Sequence, residues 1–112
     1  MTVRELAGAL GLEVLTGETN LDRPVGSGYT SDLLSDVIAN IGDDAAWITI
    51  QRHVNILGVA KLKDVSAIVI PRKLQLEEAF LEKAKQEGIA VLRGNPSAFE
   101  LSALIYNHLK RG

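Results

Sequence analysis

The rhythm of apolar positions changes near residue 45. Before that point the apolar residues come in short, punctuated groups. Thr2 and Glu5 stand three apart and form a capping box, so a short helix is predicted from Val3 to about Leu10, with Gly11 as its stop. Leu12-Glu13-Val14-Leu15 alternates like a short strand. The stretch from Gly17 to Pro24 is rich in turn formers. Gly26-Ser27-Gly28-Tyr29-Thr30 then reads as a glycine loop feeding a helix. In that helix Leu33, Leu34, Val37, Ile38 and Ile41 make the predicted buried stripe, with Asp32, Ser35, Asp36 and Asn40 on the other side.

From Ala45 onward three nearly continuous apolar runs appear: Ala45–Ile50, Val65–Ile70 and Ile89–Leu92. Runs of this kind suit strands covered on both faces, as in a parallel sheet between helix layers. Amphipathic stretches separate them, from Val54 to Lys63 and from Leu76 to Glu87. Asn95-Pro96 opens a last helix, predicted to reach about Lys110 and to bury Phe99 or Leu101, Ser102, Ile105 and Leu109. Strands alternating with helices predict an α/β fold with a mostly parallel central sheet and right-handed crossovers.

The length of 112 residues suits one domain over residues 1–112, with 46% apolar residues for a single core. With no cysteine, the chain offers no disulfide, no thiolate metal site and no Cys nucleophile. A net charge of −2 leaves no nucleic-acid footprint. No apolar run is long enough to span a bilayer, and Met1 to Glu5 does not open like a signal peptide. A cytoplasmic protein is expected. Charge is nonetheless uneven, with a balance of −6 over residues 1–50 and +4 over residues 51–112.

The glycine loop admits two readings. It is a tight turn with Thr30 or Ser31 as N-cap, or a loop whose Gly28, Thr30 and Ser31 touch a ligand. It is neither a P-loop, lacking Gly-Lys-Ser/Thr, nor a dinucleotide fingerprint, lacking the third glycine. Asp32, Asp36, Asp43 and Asp44 read either as a solvated acidic face or as weak ligands for a hydrated cation; no metal site is expected. Gln51, Arg52, His53 and Asn55 follow the most buried strand, at the edge where open parallel sheets take ligands. The alternative there is structural, with Asn55 capping the next helix and His53 hydrogen-bonded to a backbone carbonyl. Arg52, Arg72 and Arg93 each stand just past a predicted strand, so a parallel sheet brings all three to one edge, beside helix N-termini. Guanidinium forks in that setting suit phosphate or carboxylate, unless each simply faces water. No catalytic constellation is present, since His53 has no nucleophile or orienting carboxylate at a recognisable spacing.

Two stretches carry a resemblance. Gly28-Tyr29-Thr30-Ser31-Asp32-Leu33-Leu34-Ser35 and Trp47-Ile48-Thr49-Ile50-Gln51-Arg52-His53-Val54-Asn55-Ile56 resemble stand-alone DRTGG-domain proteins, over nearly the whole chain. That group looks related to the N-terminal domain of HPr kinase/phosphorylase and, more distantly, is similar to the N-terminal domain of Mur ligases. The resemblance implies a three-layer αβα sandwich. The positions matching the name-giving motif are Gln51-Arg52 and Ile70-Pro71-Arg72, of which only Arg52 is retained. If Thr-Gly-Gly is a backbone anion loop, Pro71 has removed an N–H from it, with Arg72 as a substitute. Stand-alone members are often encoded beside iron-only hydrogenases and redox-sensing kinases, which implies a regulatory role and a hydrogenase or kinase partner.

The resulting expectation is a non-enzymatic regulatory module. It binds a small anionic ligand, a nucleotide among the options, through Gly28, Thr30, Ser31, Gln51, Arg52, His53, Asn55 and Arg72, with Arg93 at the rim and no cofactor. The competing expectation is a protein-interaction adaptor with no small ligand. A homodimer is expected in either case, with Tyr29 among the contact surface.

Overall fold

A computed structural model describes residues 1–111. The elements run α1 (Val3–Leu10), β1 (Glu13–Val14), β2 (Ser27–Thr30), α2 (Leu34–Asn40), β3 (Ala45–Ile48), α3 (Asn55–Leu62), β4 (Ala67–Ile70), α4 (Glu78–Gln86), β5 (Val91–Arg93) and α5 (Ala98–Arg111). The sheet order is β1-β5-β4-β3-β2. β2 to β5 are mutually parallel, and β1 closes one end antiparallel to β5.

Every residue of β3 and β4 is buried, as continuous apolar runs require. Alternation sends Trp47, Ile68, Ile70 and Val91 to one face, against Val37, Ile56, Ala60, Phe80 and Ala84 of α2, α3 and α4. Ala46, Ile48, Ala67, Val69 and Leu92 go to the other, against Val3, Leu6, Leu101 and Ile105 of α1 and α5. The result is a three-layer αβα sandwich. Among the described residues no helix is long and apolar enough to cross a membrane.

The capping box forms as predicted. Thr2 Oγ1 accepts from Glu5 N–H at 3.2 Å, and Thr2 N–H donates to Glu5 Oε1 at 2.8 Å. Gly11 ends α1 at φ 65°. At the amino edge of the sheet, the Arg23 guanidinium donates to Asp64 Oδ1 at 2.9 Å and Asp44 Oδ1 at 3.0 Å, clamping the segments that enter β3 and β4.

Three local expectations are corrected. The glycine loop is an edge strand: residues 27–30 pair in register with residues 45–48. At Gly28 a Cβ would meet Ala46 O and Ile105 Cγ2 at 3.7 Å, an ordinary contact, so sterics do not demand glycine there. Leu33 and Ile38 are not in the core; they are 65% and 40% exposed, because α2 begins at Leu34 and only Val37 within it is buried. Phe99 is 85% exposed, leaving Leu101 and Ile105 as the buried residues of α5.

Candidate functional site

The parallel strands deliver Ser31, Thr49–Asn55, Pro71–Lys73 and Gly94–Ser97 to one carboxyl edge. There the chain builds a network around Asp32. Its Oδ1 accepts from the Thr49 hydroxyl and from Ile50 N–H, both at 2.8 Å. Its main-chain carbonyl accepts from Gln51 Nε2 at 3.0 Å, while Gln51 N–H donates to Thr49 Oγ1 at 3.1 Å. The buried Trp47 indole donates to Ser31 O at 2.9 Å, and Ser31 Oγ accepts from Leu33 N–H at 3.3 Å. The turn after β2 is thereby stitched to the turn after β3. The local sequence presents Asp32 only as part of an acidic face or as a weak cation ligand, because its organising role depends on a contact across 17 residues.

His53 Nδ1 accepts from Asn55 N–H at 3.2 Å. The histidine therefore caps the start of α3, which has no side-chain bond from its N-cap Val54. This corrects the expectation of Asn55 as cap. Asn55 is exposed and is the first residue of the helix. Arg52 spans two loops, donating from Nε to Ile50 O at 3.2 Å and from Nη1 to Gln75 O at 2.9 Å.

The arginines reach one edge, as parallel strands require, but they are not equivalent. Arg93 is committed to Glu13 by a bidentate pair, 3.1 and 3.2 Å, and to Leu74 O at 3.2 Å. The guanidinium holds the Glu13 carboxyl below its ordinary value. Arg93 is a structural tie between β5 and the edge strand β1, not a rim cation. Arg72 is exposed and its side chain has no hydrogen-bond or ion-pair partner among the described residues.

Arg72 and Lys73 lie at φ 54° and 48°, two consecutive non-glycine residues in the left-handed region. The first of them is the position matched to the last glycine of the DRTGG motif. Their amides do not form an open anion nest, because Arg72 N–H donates to Pro96 O at 2.9 Å and Lys73 N–H to Gly94 O at 2.8 Å. Those bonds lock the turn and leave the Arg72 side chain facing water, while Lys73 Nζ lies 3.9 Å from Glu13 Oε1. Each left-handed residue costs on the order of 1–2 kcal/mol, a strain that clusters at functional sites. Three apolar side chains of the segments after β2 and β3 are exposed as well, Leu33 at 65%, Ile50 at 40% and Val54 at 44%.

Gly28 and Thr30 fall outside this cluster. Their side of β2 faces α5, where Thr30 Oγ1 lies 2.7 Å from Ser102 Oγ. They line a groove of about 720 Å³ with Phe99, Ile105, Tyr106 and Lys110. A shallower hollow lies between α1 and residues 17–21. Neither of these two hollows is lined by Ser31 or His53. The acidic residues are dispersed. Asp36 receives Tyr29 Oη at 2.8 Å and Asn40 Nδ2 at 2.9 Å, and Ser31 first, then Tyr29 and Asn40, hold its carboxyl below the ordinary range. Among the described residues no three His, Asp or Glu side chains converge as a metal site would need.

No protein-family model and no curated protein matches the chain. Among solved structures it is similar to the CBS and DRTGG domains of the regulatory region of Clostridium perfringens pyrophosphatase, complexed with the activator diadenosine tetraphosphate. The TM-score is 0.72 at 18% identity, covering 93% of this chain and 45% of that one. The fold is therefore DRTGG-like, and the structure it resembles is a regulatory region rather than a catalytic one.

Proposed function

We propose that the chain is a non-enzymatic regulatory module that binds a nucleotide polyphosphate on the carboxyl edge of its sheet. The observation that carries this reading is the β4–α4 turn. Two consecutive strained cations, Arg72 and Lys73, are exposed there; Lys73 sits 3.9 Å from Glu13 Oε1, and Arg72 has no side-chain partner among the described residues. A free guanidinium fork matches phosphate oxygens bidentately, as it does carboxylates. Leu33, Ile50 and Val54, exposed on the segments that follow β2 and β3, supply apolar surface at the same sheet edge for a base. Ser31, Gln51, Arg52, His53 and Asn55 frame that surface, with Asp32 bracing the two turns that carry the first two. A regulatory region with this fold, crystallised with a dinucleoside polyphosphate activator, supports the ligand class.

The regulated partner in this reading is a hydrogenase or kinase system, which the sequence resemblance supports. The same exposed apolar residues favour the adaptor as a second reading, in which Leu33, Ile50 and Val54 meet a protein and no nucleotide binds.

Calorimetric titration of the whole chain with diadenosine tetraphosphate, ATP, AMP and pyrophosphate separates the two. A nucleotide at 100 times its dissociation constant raises stability by about 2.7 kcal/mol. Arg72→Ala removes a charge-assisted bond and weakens binding by about 1.5–3 kcal/mol, roughly ten- to a hundred-fold. Its folding stability stays within about 0.5 kcal/mol of wild type. No binding of any of the four at millimolar concentration leaves the adaptor reading.

A further inference from the structure

The two ends of the sheet are finished differently. At one end β1 is two residues long and carries the Glu13–Arg93 ion pair, the short, charged finish that discourages further pairing. At the other end β2 pairs, among the described residues, only with β3. Its sequence, Ser27-Gly28-Tyr29-Thr30, has no charge and no proline. Ser27 N–H and Ser31 N–H donate inward to Asp44 O and Ile48 O. Strand alternation therefore aims the N–H and C=O groups of Gly28 and Thr30 outward, along an open edge.

Helix α5 packs on this edge strand. Its inner side is seated on the sheet through Ile105, which backs on Gly28, and Ser102, which bonds Thr30. The adjacent stripe Phe99, Ala103, Tyr106 and Lys110 is not seated. It lines the groove with Gly28 and Thr30, and Phe99 and Tyr106 are 85% and 61% exposed. The spacing of four, three and four is that of a helix-pairing seam.

We infer that this end of the molecule is a two-fold interface with a second copy of the chain, joining the two sheets edge to edge through β2. The strand is self-complementary. Antiparallel pairing about an axis at Tyr29 sets Gly28 opposite Thr30 of the second copy, and each such pair exchanges two backbone bonds. An axis normal to the sheet keeps both α5 helices on the same face, running antiparallel. Phe99 then approaches Lys110 of the second copy, and Ala103 approaches its Tyr106. Glu100 at the N-terminal end faces Lys110 and Arg111 at the other helix's C-terminal end, so charges and helix dipoles both oppose favourably. A foreign extended peptide would satisfy the strand edge but would leave that charge-reversed helix seam unused. The interface lies apart from Arg72, so it does not depend on nucleotide binding.

Sedimentation equilibrium of the whole chain tests this, over about 10 µM to 1 mM, where micromolar association is resolved. Wild type is expected at twice the 12.1 kDa of one chain. Two variants disrupt different halves of the interface. Phe99→Lys with Tyr106→Lys sets like charges along the helix seam. Thr30→Pro removes an outward N–H without taking a bond from β3. Both are expected at 12.1 kDa with unchanged far-UV circular dichroism, while Arg72→Ala remains dimeric. Amide exchange adds the local readout: Gly28 and Thr30 are protected at least tenfold more in wild type than in the Lys double variant, and Tyr29 is protected in both. A one-chain mass for wild type across the range overturns the inference, as does a dimer that survives both variants. Protection of Gly28 and Thr30 that appears only on adding an extended peptide or an apolar small molecule also overturns it, and assigns the groove to that occupant.

Discussion

Asp32→Ala removes the residue on which the carboxyl-edge network converges. The side chain accepts two hydrogen bonds at 2.8 Å, from the Thr49 hydroxyl and Ile50 N–H. Thr49 is 1% exposed, so its hydroxyl loses an acceptor where water reaches poorly. A hydrogen bond to a charged group contributes about 1.5–3 kcal/mol, and a buried donor left unpaired costs about 1–3 kcal/mol. Asp32 itself is exposed, which weakens its charge by solvent screening, and Ile50 N–H can turn to water. The expected net loss is about 2 kcal/mol, or roughly 8 °C in Tm for a domain of this size. Urea unfolding followed by circular dichroism reads it as a lower midpoint at unchanged slope. Thr49→Val in the same background isolates the pair, with an expected coupling of about 1 kcal/mol. The nucleotide affinity falls as well, because Ser31 and Gln51 lose their common brace. A change in stability under about 0.5 kcal/mol would refute the bracing role, since that is the range of an unremarkable surface substitution.

Arg23→Ala opens the clamp on Asp44 and Asp64 and is expected to destabilise by about 1–2 kcal/mol in urea unfolding, the exposure of the carboxylates discounting the full charge-assisted value. Arg23 holds the Asp64 carboxyl below its ordinary 3.8, and Arg93 holds Glu13 below its ordinary 4.5. Lowered carboxyl values mean stability that is complete above those ordinary values and is lost as pH falls through the depressed ones. A urea midpoint measured from pH 7 down to pH 3 therefore stays level and then falls below about pH 4.5, less steeply in Arg23→Ala. Lys73→Gly relieves a left-handed residue at the expense of backbone entropy, so stability is unchanged or rises by up to about 1 kcal/mol. A loss larger than that in thermal unfolding would show that the Lys73 side chain holds the turn.

The three buried strands are legible because burial on both faces leaves no polar alternation to misread. Even so, the run Ala45–Ile50 ends as a strand at Ile48, since Asp32 takes the Ile50 N–H that would continue the ladder. β2 is not legible. Four residues with two flanking or internal glycines carry a turn signature, and only the non-local pairing with Ala45–Ile48 makes them a strand. The helix after it is displaced for the same reason: Ser31 and Asp32 fold back onto β3, so Leu33 becomes an exposed cap residue instead of a core one. The common edge of Arg52, Arg72 and Arg93 follows from spacing and parallel topology. Which of them is free does not, because the partner of Arg93 lies 80 residues away. His53 illustrates the same limit, since a ring nitrogen that caps a helix and one that meets a ligand have the same local sequence.

The central claim is that nucleotide phosphates meet the turn at Arg72 and Lys73. An NMR titration of the isotopically labelled chain with diadenosine tetraphosphate addresses it residue by residue. The account predicts saturable shifts at Ser31, Gln51 to His53, Arg72 and Lys73, with Gly28 and Tyr106 unmoved, and loss of those shifts in Arg72→Ala. Saturable shifts confined to the α5 groove, or none at millimolar nucleotide, would contradict it.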